Sequence, residues 1–386
     1  MATTESAQST TELPVQQAEQ DAQPVAQERF RPSAAGWAAR YAFAAALVVF
    51  IFLLPVIVPD ESAANLVVTA AIFSCVALSM NVLTGYLGQL SLGHQAFFGI
   101  GAFVAATVVT THQMPFIFGV LAGGLSGAVA AIILGGVALR IRGLYLAIVT
   151  LAYGLLAENS LFLIRGLTGG GAGLPADRPA MFQTNARFAY ICLALLALLF
   201  AFDWRLMKSK AGRAILAIRD DEKVAASFGI NITGYKLLAF VLSGIYAGLA
   251  GSLFAFQLGN VVASPFNLTL ALTFVLMAVV GGLGNRVGVV IGGAFFATIE
   301  TILELVHEYL IILPASWVGI ELGHGLDPTL APVIGAALLV ITLIQFPGGI
   351  GQQIAPIQNW VKGDRFDLHA QKDASAVKGG ASVGRP

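Results

Sequence analysis

Ten apolar stretches, each about long enough to cross a bilayer, occupy most of the chain between Tyr41 and Phe346. A spanning helix needs roughly 20 apolar residues, because about 1.5 Å of rise per residue then covers the ~30 Å hydrocarbon core with all backbone groups bonded internally. The sequence therefore predicts an all-α fold, a polytopic integral membrane helical bundle of about ten transmembrane helices. We place the spans at 41–58, 65–83, 94–110, 115–138, 144–164, 188–207, 237–258, 268–284, 287–306 and 329–346.

Charged residues are sparse and unevenly distributed. They make up 11% of the chain, against roughly 25% in soluble domains, so an ordinary water-soluble fold is excluded. If the N-terminus is cytoplasmic, 18 of the 21 Lys and Arg residues lie in inside segments, and the other three, Arg165, Arg178 and Arg187, share one outside loop. This bias predicts that both termini are cytoplasmic. The zero net charge gives no indication of a nucleic-acid partner.

Three regions follow from composition. Residues 1–40 are predicted to be a disordered cytoplasmic tail, because a stretch rich in Gln, Thr, Ala and Glu buries too little apolar surface to order itself. Residues 41–351 form the predicted transmembrane domain, and residues 352–386 a cytoplasmic C-terminal tail. The first apolar run begins only at Tyr41, which suits an uncleaved span better than a signal peptide.

Small residues recur within the spans at a spacing that favours close helix contacts. Glycines separated by four residues, or a multiple of four, let two helix backbones approach each other. The spaced glycines are Gly119, Gly123, Gly127 and Gly135, then Gly244 with Gly248, and Gly288 with Gly292. The two cysteines, Cys75 and Cys192, lie inside predicted spans and are expected to be small core residues rather than a disulfide.

The stretch Asn81 to Ala106, "NVLTGYLGQLSLGHQAFFGIGAFVAA", departs from plain hydropathy. Its glycines and polar residues separate two apolar runs, and they have two interpretations. One is a broken helix beside a translocation path, because irregular backbone at membrane depth needs cover from protein or a watery cavity; the other is a cytoplasmic turn. We assign the predicted translocation pathway to Gly85, Gln89, Ser91, Gly93, His94, Phe97 and Phe98.

Several ionisable residues lie inside or at the ends of the predicted spans. His94 is expected first to make structural hydrogen bonds and second to line a path; no partner at metal-ligand spacing accompanies it, so no metal site is predicted. Glu158 and Glu300 are possible pathway carboxylates, and a solvated vestibule, a neutral pair and solute contact all remain open. Glu304 and Asp203 are expected to be interfacial.

The chain lacks the sequence signature of an ATP-binding loop. No G-x-x-x-x-G-K-[ST] run occurs, and no Ser/His/Asp arrangement or spaced carboxylate pair indicates hydrolytic chemistry. We therefore predict a chain that is not an enzyme and that binds no cofactor itself. Energy for transport has to come from separate ATPase chains or from an ion gradient.

Five blocks follow one another along the chain: "GYLGQLSLGHQAFFGIGA", "LRIRGLYLAIVTLAYG", "GLTGGGAGL", "GRAILAIRDDEKVAASFGINITGYKLLAFVLSGIYAGLAG" and "VLMAVVGGLGNRVGVVIGGA". Together they resemble LivM-type permease subunits of branched-chain amino acid ABC importers, over roughly residues 41–351. Gln95 and Phe103 are departures, since the family usually has a small residue at the first position and often Tyr at the second. A weak internal echo also links "GYLG" at Gly85 to "GGLG" at Gly281.

The resemblance implies a pore half in the cytoplasmic (inner) membrane of a prokaryote. Its implied partners are a second, LivH-like permease subunit, two cytoplasmic LivG/LivF-like ATPase subunits that carry ATP-Mg, and an extracytoplasmic solute-binding protein. Leucine, isoleucine or valine would move inward by alternating access. The alternatives are an ion-gradient-driven secondary carrier, a permease for urea or short amides, and a scaffold that transports nothing.

The segment 208–236 is the longest predicted inside loop. Asp220 and Asp221 can cap a short helix that Gly229 ends, and Val224 and Phe228 then share one helix face suited to a partner's groove. A solvated basic loop is the alternative on residues alone, whereas the resemblance implies that this segment couples the chain to the ATPases. The predicted coupling residues are Arg213, Arg219, Asp220, Asp221, Val224, Phe228 and Gly229.

Overall fold

The computed structural model describes residues 61–139, 141, 143–307 and 349–362, with scattered positions between 42 and 55. The chain divides into two compact units, residues 46–355 and residues 1–45 with 356–386. The predicted span 329–346 lies outside the described residues, as does most of the span 41–58 and most of both tails. The predicted number of about ten spans therefore stays a prediction.

Helices dominate the described residues. They are α1 (Glu61–Met80), α2 (His94–Thr110), α3 (Phe116–Ala138), α4 (Leu144–Asn159), α5 (Asn185–Lys208), α6 (Lys210–Asp220), α7 (Glu222–Ser227), α8 (Ile232–Leu258), α9 (Leu268–Gly281), α10 (Arg286–His307) and α11 (Gly349–Lys362). Shorter helical turns lie at Leu161–Leu163, Arg165–Thr168, Gly170–Ala172 and Ala180–Phe182. Two antiparallel strands of two residues each, β1 (Leu174–Pro175) and β2 (Asn260–Val261), pair Leu174 with Val261.

The helices coincide closely with the spans predicted between 65 and 306. The span 94–110 has the bounds of α2, and 115–138 differs from α3 by one residue. Among the described residues, five helical stretches are long and apolar enough to cross a membrane: 61–86, 116–137, 145–163, 185–208 and 232–258. Helices α2, α9 and the first part of α10 are apolar but shorter. The all-α fold is confirmed for the described part of the chain.

Helix α8 lies at the centre of the larger unit and touches α2 and α3 through glycines. A methyl group added to Gly127 of α3 would collide with the carbonyl oxygen of Gly244, and one added to Gly248 would meet the carbonyl oxygen of Gly123. Gly101 of α2 is similarly close to the backbone of Gly248. The sequence-based prediction that spaced glycines bring helices together is confirmed at these contacts, and Gly288 and Gly292 of α10 approach α9 in the same way.

The outer helices leave large apolar side chains uncovered. Leu125 and Ile133 of α3 are 68% and 62% exposed, Leu156 of α4 is 61% exposed, and Leu198 of α5 is 65% exposed. A monomer in water rarely exposes a continuous apolar surface of this kind. These faces therefore suit lipid or another apolar helix.

A loop between α4 and α5 is fastened to the end of α8 and to the start of α5. Arg178 donates from Nε to the carbonyl oxygen of Phe256 at 2.8 Å and from Nη1 to Asn185 Oδ1 at 2.7 Å. Its guanidinium also lies 4.4 Å from the ring centroid of Phe188. Burial lowers the pKa of Arg178, and the coulombic attraction of Glu61 acts in the opposite direction. The predicted outside loop is thus ordered by a partly buried cation.

The glycine contact between α3 and α8 can be tested with two positions on α3. We expect Gly127→Ala to lower the melting temperature of the detergent-solubilised protein, because overpacking typically costs about 1–3 kcal/mol. Gly136 has no atom within 4 Å of an added methyl group, so Gly136→Ala is the matched control and should leave the melting temperature equal or slightly higher. Equal melting temperatures for both variants would contradict the packing described for α8.

Candidate functional site: the helix break and the 208–236 segment

The helix break that the sequence predicts lies directly after α1. Residues Asn81–Tyr86 continue α1 as a π-helical turn, residues 87–93 are not helical, and α2 begins at His94. Wide turns of this type frequently mark functional sites, because they leave backbone groups without their usual helical partners. The predicted interruption is present, and it fits both a broken helix beside a translocation path and a turn between two spans; its depth in a membrane stays a prediction.

His94 holds the break to α8. Its Nδ1 lies 3.1 Å from Ser91 Oγ and its Nε2 lies 2.8 Å from Ser243 Oγ of α8. Ser79 of α1 donates to the carbonyl oxygen of Ser243 at 2.7 Å. Both ring nitrogens of His94 therefore have partners in a buried network, which confirms the expected structural hydrogen bonding.

Other residues of the predicted pathway pack tightly around the break. Gly93 faces the carbonyl oxygen of Thr150 on α4, and the backbone N–H of Leu92 donates to Thr150 Oγ1 at 2.9 Å. Phe97 and Phe98 are completely buried, and Phe98 packs edge-on against Phe274 at 5.3 Å between ring centroids. In this conformation Phe97 and Phe98 are core residues; their place in a translocation pathway stays a prediction.

Two loops of related sequence meet beside the π-helical turn. We call them the glycine loops: residues 85–88 ("GYLG") and residues 281–284 ("GGLG"). Asn81 Oδ1 accepts a hydrogen bond from the backbone N–H of Gly284 at 2.7 Å. A methyl group on Gly85 would lie 2.7 Å from that same nitrogen. The weak internal echo in the sequence thus corresponds to two loops in direct contact.

Arg219 of α6 reaches both glycine loops. Its Nη1 donates to the carbonyl oxygen of Gly85 at 2.6 Å, and its side-chain carbons cover Gly88. A methyl group built on Gly284 would lie 3.4 Å from the same Nη1. One side chain of the segment 208–236 therefore contacts the broken helix and the turn that precedes α10.

The short helix predicted within the segment 208–236 is present as α7. Asp221 Oδ1 accepts from the backbone N–H groups of Lys223 at 2.7 Å and Val224 at 3.1 Å, which is an N-cap. Gly229 follows the helix with a φ of 77°, a left-handed conformation that favours glycine. Asp220 is the last residue of α6, so Asp221 alone provides the cap. Helix α6 itself was not predicted.

One face of α7, together with its C-terminal end, exposes two large apolar side chains, and Lys223 and Ser227 of α7 are exposed as well. Phe228 is 81% exposed and Val224 is 51% exposed. Behind this face, Glu222 pairs with Lys236 of α8, whose side chain is almost fully buried. Arg213 of α6 lies on the surface, where it donates to the carbonyl oxygen of Lys208 at 3.0 Å. The coupling role of these residues stays a prediction.

The carboxylates that are predicted to lie inside the membrane form no cluster among the described residues. Glu158 of α4 is partly buried. The side chains of Glu300 and Glu304 lie outside the described residues, so their predicted roles stay predictions. Among the described residues, no group of three or more His, Cys, Asp or Glu side chains could hold a metal ion. Cys75 and Cys192 are buried and not joined in a disulfide, as expected for small core residues.

Asp203 is not a surface residue of the bundle, and its predicted place at a membrane interface stays a prediction. The Asp203 side chain is completely buried near the end of α5, where its Oδ2 accepts a hydrogen bond from Tyr86 Oη at 2.8 Å. The same oxygen lies 3.4 Å from Arg286 Nε at the start of α10. Trp204 and Arg205 beside it suggested a membrane interface, but both partners of Asp203 are distant in sequence. Asp203 therefore ties the end of α5 to the regions of both glycine loops.

Gln95 was not assigned to the predicted pathway, yet its surroundings are unusual. The side chain is completely buried at the start of α2, beside Gly154 of α4. Among the described residues, no hydrogen-bond partner lies within reach of its Oε1 or its Nε2. The only signal in the sequence was a polar residue at a position where the resembling family usually has a small one.

Comparison with known protein families gives a match over most of the chain. Residues 62–343 match the family described as "Branched-chain amino acid transport system / permease component". This range covers the break, the glycine loops and the segment 208–236. With the membrane-length helices described above, it supports a multi-pass helical membrane protein of the permease type.

Individual relatives are similar over part of their length. The high-affinity branched-chain amino acid transport system permease proteins LivM of Salmonella typhimurium and Escherichia coli are each 30% identical over 270 residues, covering 63% of this chain and 64% of the relative. The autoinducer 2 import system permease protein LsrC of an Enterobacter species is 29% identical over 209 residues, covering 52% and 57%. The chain thus spans somewhat less than two thirds of the length of these relatives. No solved structure matches it.

The contacts of Asp203 with Tyr86 and Arg286 lead to a prediction about the stability of the protein. We expect Asp203→Ala to destabilise the solubilised protein by about 1–3 kcal/mol, because the buried hydroxyl of Tyr86 loses its hydrogen-bond partner and the partly exposed Arg286 loses its counter-charge. The double variant Asp203→Ala/Arg286→Gln should be less destabilised than the sum of the single variants. Thermal unfolding of the four proteins measures this coupling, and strict additivity would show that Asp203 and Arg286 do not interact.

Proposed function

This chain belongs to the family of branched-chain amino acid transport permease components, and we propose that it forms one half of the transmembrane pore of an ABC importer. Both termini lie in the cytoplasm of a prokaryote, and the chain spans the cytoplasmic membrane. It pairs with a second permease subunit, and two ATPase subunits bind beneath the pair. A solute-binding protein delivers the solute from outside. The match over residues 62–343 and the missing ATP-binding loop support this assembly.

Helix α7 is the proposed docking site for an ATPase subunit. Phe228 and Val224 present an apolar face beyond the end of the membrane-length helices α5 and α8. Burial of an exposed Phe side chain in a partner's groove contributes about 1.5–3 kcal/mol. The cap at Asp221 and the Glu222–Lys236 ion pair hold α7 in place, so the ATPase meets a preformed surface.

The contact of Arg219 with both glycine loops is the main support for this proposal. A movement of α6 and α7 on ATP binding pulls on a guanidinium that is bonded to the Gly85 carbonyl oxygen and lies beside Gly284. The first contact leads into the broken helix and the second into the turn before α10. One cation thereby transmits a displacement of the docking helix to two elements of the bundle.

A branched-chain amino acid is the proposed solute. The LivM relatives are named for branched-chain amino acid transport, whereas the LsrC relatives are named for autoinducer 2 import. Both LivM relatives match over a longer stretch of this chain than the LsrC protein of the Enterobacter species. Uptake assays should therefore compare L-leucine with autoinducer 2 in the same preparation.

Removal of the exposed ring of Phe228, directly after α7, should release the ATPases. We expect Phe228→Asp to lower co-purification of the ATPase subunits with the permease by roughly tenfold or more, because a buried charge replaces a buried ring. Leu198 of α5 is also exposed and apolar, so Leu198→Ala serves as the control and should retain the ATPases. Undiminished co-purification of Phe228→Asp would remove the docking assignment.

Loss of the Arg219 contact should separate ATP hydrolysis from transport. We expect Arg219→Ala to keep the ATPase subunits bound, since α7 is intact, but to reduce ATP-driven L-leucine uptake in proteoliposomes about tenfold or more, as the loss of a charge-assisted hydrogen bond costs about 1.5–3 kcal/mol. Lys210→Ala, at the exposed first residue of α6, is the control and should transport normally. Normal uptake by Arg219→Ala would contradict this route of transmission.

A further inference from the structure

Gln95 combines complete burial with a side chain that has nothing to bond. Its relative exposure is 0%, and both Oε1 and Nε2 lack a hydrogen-bond partner among the described residues. Gln95 is the one residue of the described part of the chain for which two such side-chain atoms occur. An amide buried in this way is strongly disfavoured, and native proteins rarely keep one without a functional reason.

The polar groups around Gln95 are already engaged with one another. His94 bonds to Ser91 and Ser243, and Thr150 Oγ1 bonds to Leu92 and to the carbonyl oxygen of Ala147. The amide of Gln95 is thus left out of a network that satisfies its neighbours. A polar group that enters from outside the chain can supply the missing partner.

Helix α4 is the element that covers Gln95. A methyl group on Gly154 would collide with Gln95 Nε2, so only a glycine lets α4 approach this closely. Much of the rest of α4 is exposed, and an apolar cleft of about 730 Å³ separates part of α4 from α2 and α3. The helix is preceded by Gly143, which has a φ of 64°. Helix α4 can therefore move outward without breaking a tightly packed core on its far side.

We propose that Gln95 binds the polar head of a zwitterionic amino acid. Helix α4 covers Gln95 in the present conformation, and the solute reaches Gln95 when α4 moves away. This inference rests on the proposed importer function and deepens it. Gln95 Nε2 donates to the solute carboxylate, and Oε1 accepts from the solute ammonium group. Gly93, the residue before α2, has no side chain with which to cap the helix, so the positive end of that helix dipole adds to the attraction for the carboxylate.

The first test measures L-leucine uptake by the complete transporter in proteoliposomes with Gln95→Leu, which keeps the approximate volume and removes the amide. We expect KM to rise roughly tenfold to a hundredfold, the range for the loss of hydrogen bonds to charged groups. Inhibition by isocaproate, which lacks the ammonium group, should be much weaker than inhibition by L-isoleucine in the wild type. Thr107 on the same helix bonds within α2, so Thr107→Ala is the control and should keep the wild-type KM.

The second test measures how accessible position 95 is to water, and its readout is not transport. In a Cys75→Ala/Cys192→Ala background, the thiol of Gln95→Cys should react with a water-soluble methanethiosulfonate reagent during ATP turnover and not in the resting complex. L-leucine should slow this reaction. A thiol that never reacts, or that reacts equally with and without L-leucine, overturns the proposal.

The outcomes separate this inference from the importer assignment. A wild-type complex that moves neither L-leucine nor autoinducer 2 with ATP contradicts the proposed function, and the thiol test then decides the role of Gln95 by itself. Active wild-type transport of L-leucine with an unchanged KM in Gln95→Leu overturns the inference and leaves the importer function standing. Equal effects on L-leucine and autoinducer 2 uptake count against recognition of a zwitterion.

Discussion

The close contact of α8 with α2 and α3 is the constraint on which the rest of the structure depends. Glycines at Gly127, Gly244 and Gly248 let these backbones touch, and this fixes where every side chain on α8 lies. Ser243, next to Gly244, consequently reaches His94 and holds the broken helix. A bulkier residue in this row would separate the helices and with them the hydrogen bonds of the break.

The segment 208–236 is anchored to the bundle at its two ends and near its centre. Before it, the buried Asp203 binds Tyr86 and Arg286. At its centre Arg219 binds the Gly85 carbonyl oxygen. At its end Lys236 pairs with Glu222 as α8 enters the core. The contacts of Asp203 and Arg219 lie at or beside the glycine loops, and this is why we propose that a displacement of α6 and α7 reaches the region after α1 and the start of α10.

Local sequence signals predicted local structure well. The bounds of α2 follow from an uninterrupted apolar run, and the cap at Asp221 and the left-handed Gly229 follow from residues within one turn of α7. The break after α1 was visible because glycines and polar residues interrupt a span. Spaced glycines also indicated close packing, although they could not say which helices would touch.

Contacts between distant residues were beyond the sequence. Asp203 looked interfacial because its neighbours Trp204 and Arg205 suit that position, whereas its partner Tyr86 is 117 positions away. The Arg219 contact with Gly85 spans 134 positions, and periodicity carries no information on such pairs. Gln95 was missed for a related reason. The sequence shows that Gln95 lies among other polar residues, but it does not show that those residues bond to one another and leave the Gln95 amide without a partner.

The central claim is that this chain moves solute only when separate ATPase chains drive it. The most direct measurement reconstitutes the permease pair into liposomes with and without the ATPase subunits, with ATP on the ATPase side and solute-bound binding protein on the other, and follows accumulation of L-leucine. The account predicts accumulation only in the complete system with ATP. Sustained uptake by the permease alone, driven by an imposed ion gradient, would contradict it.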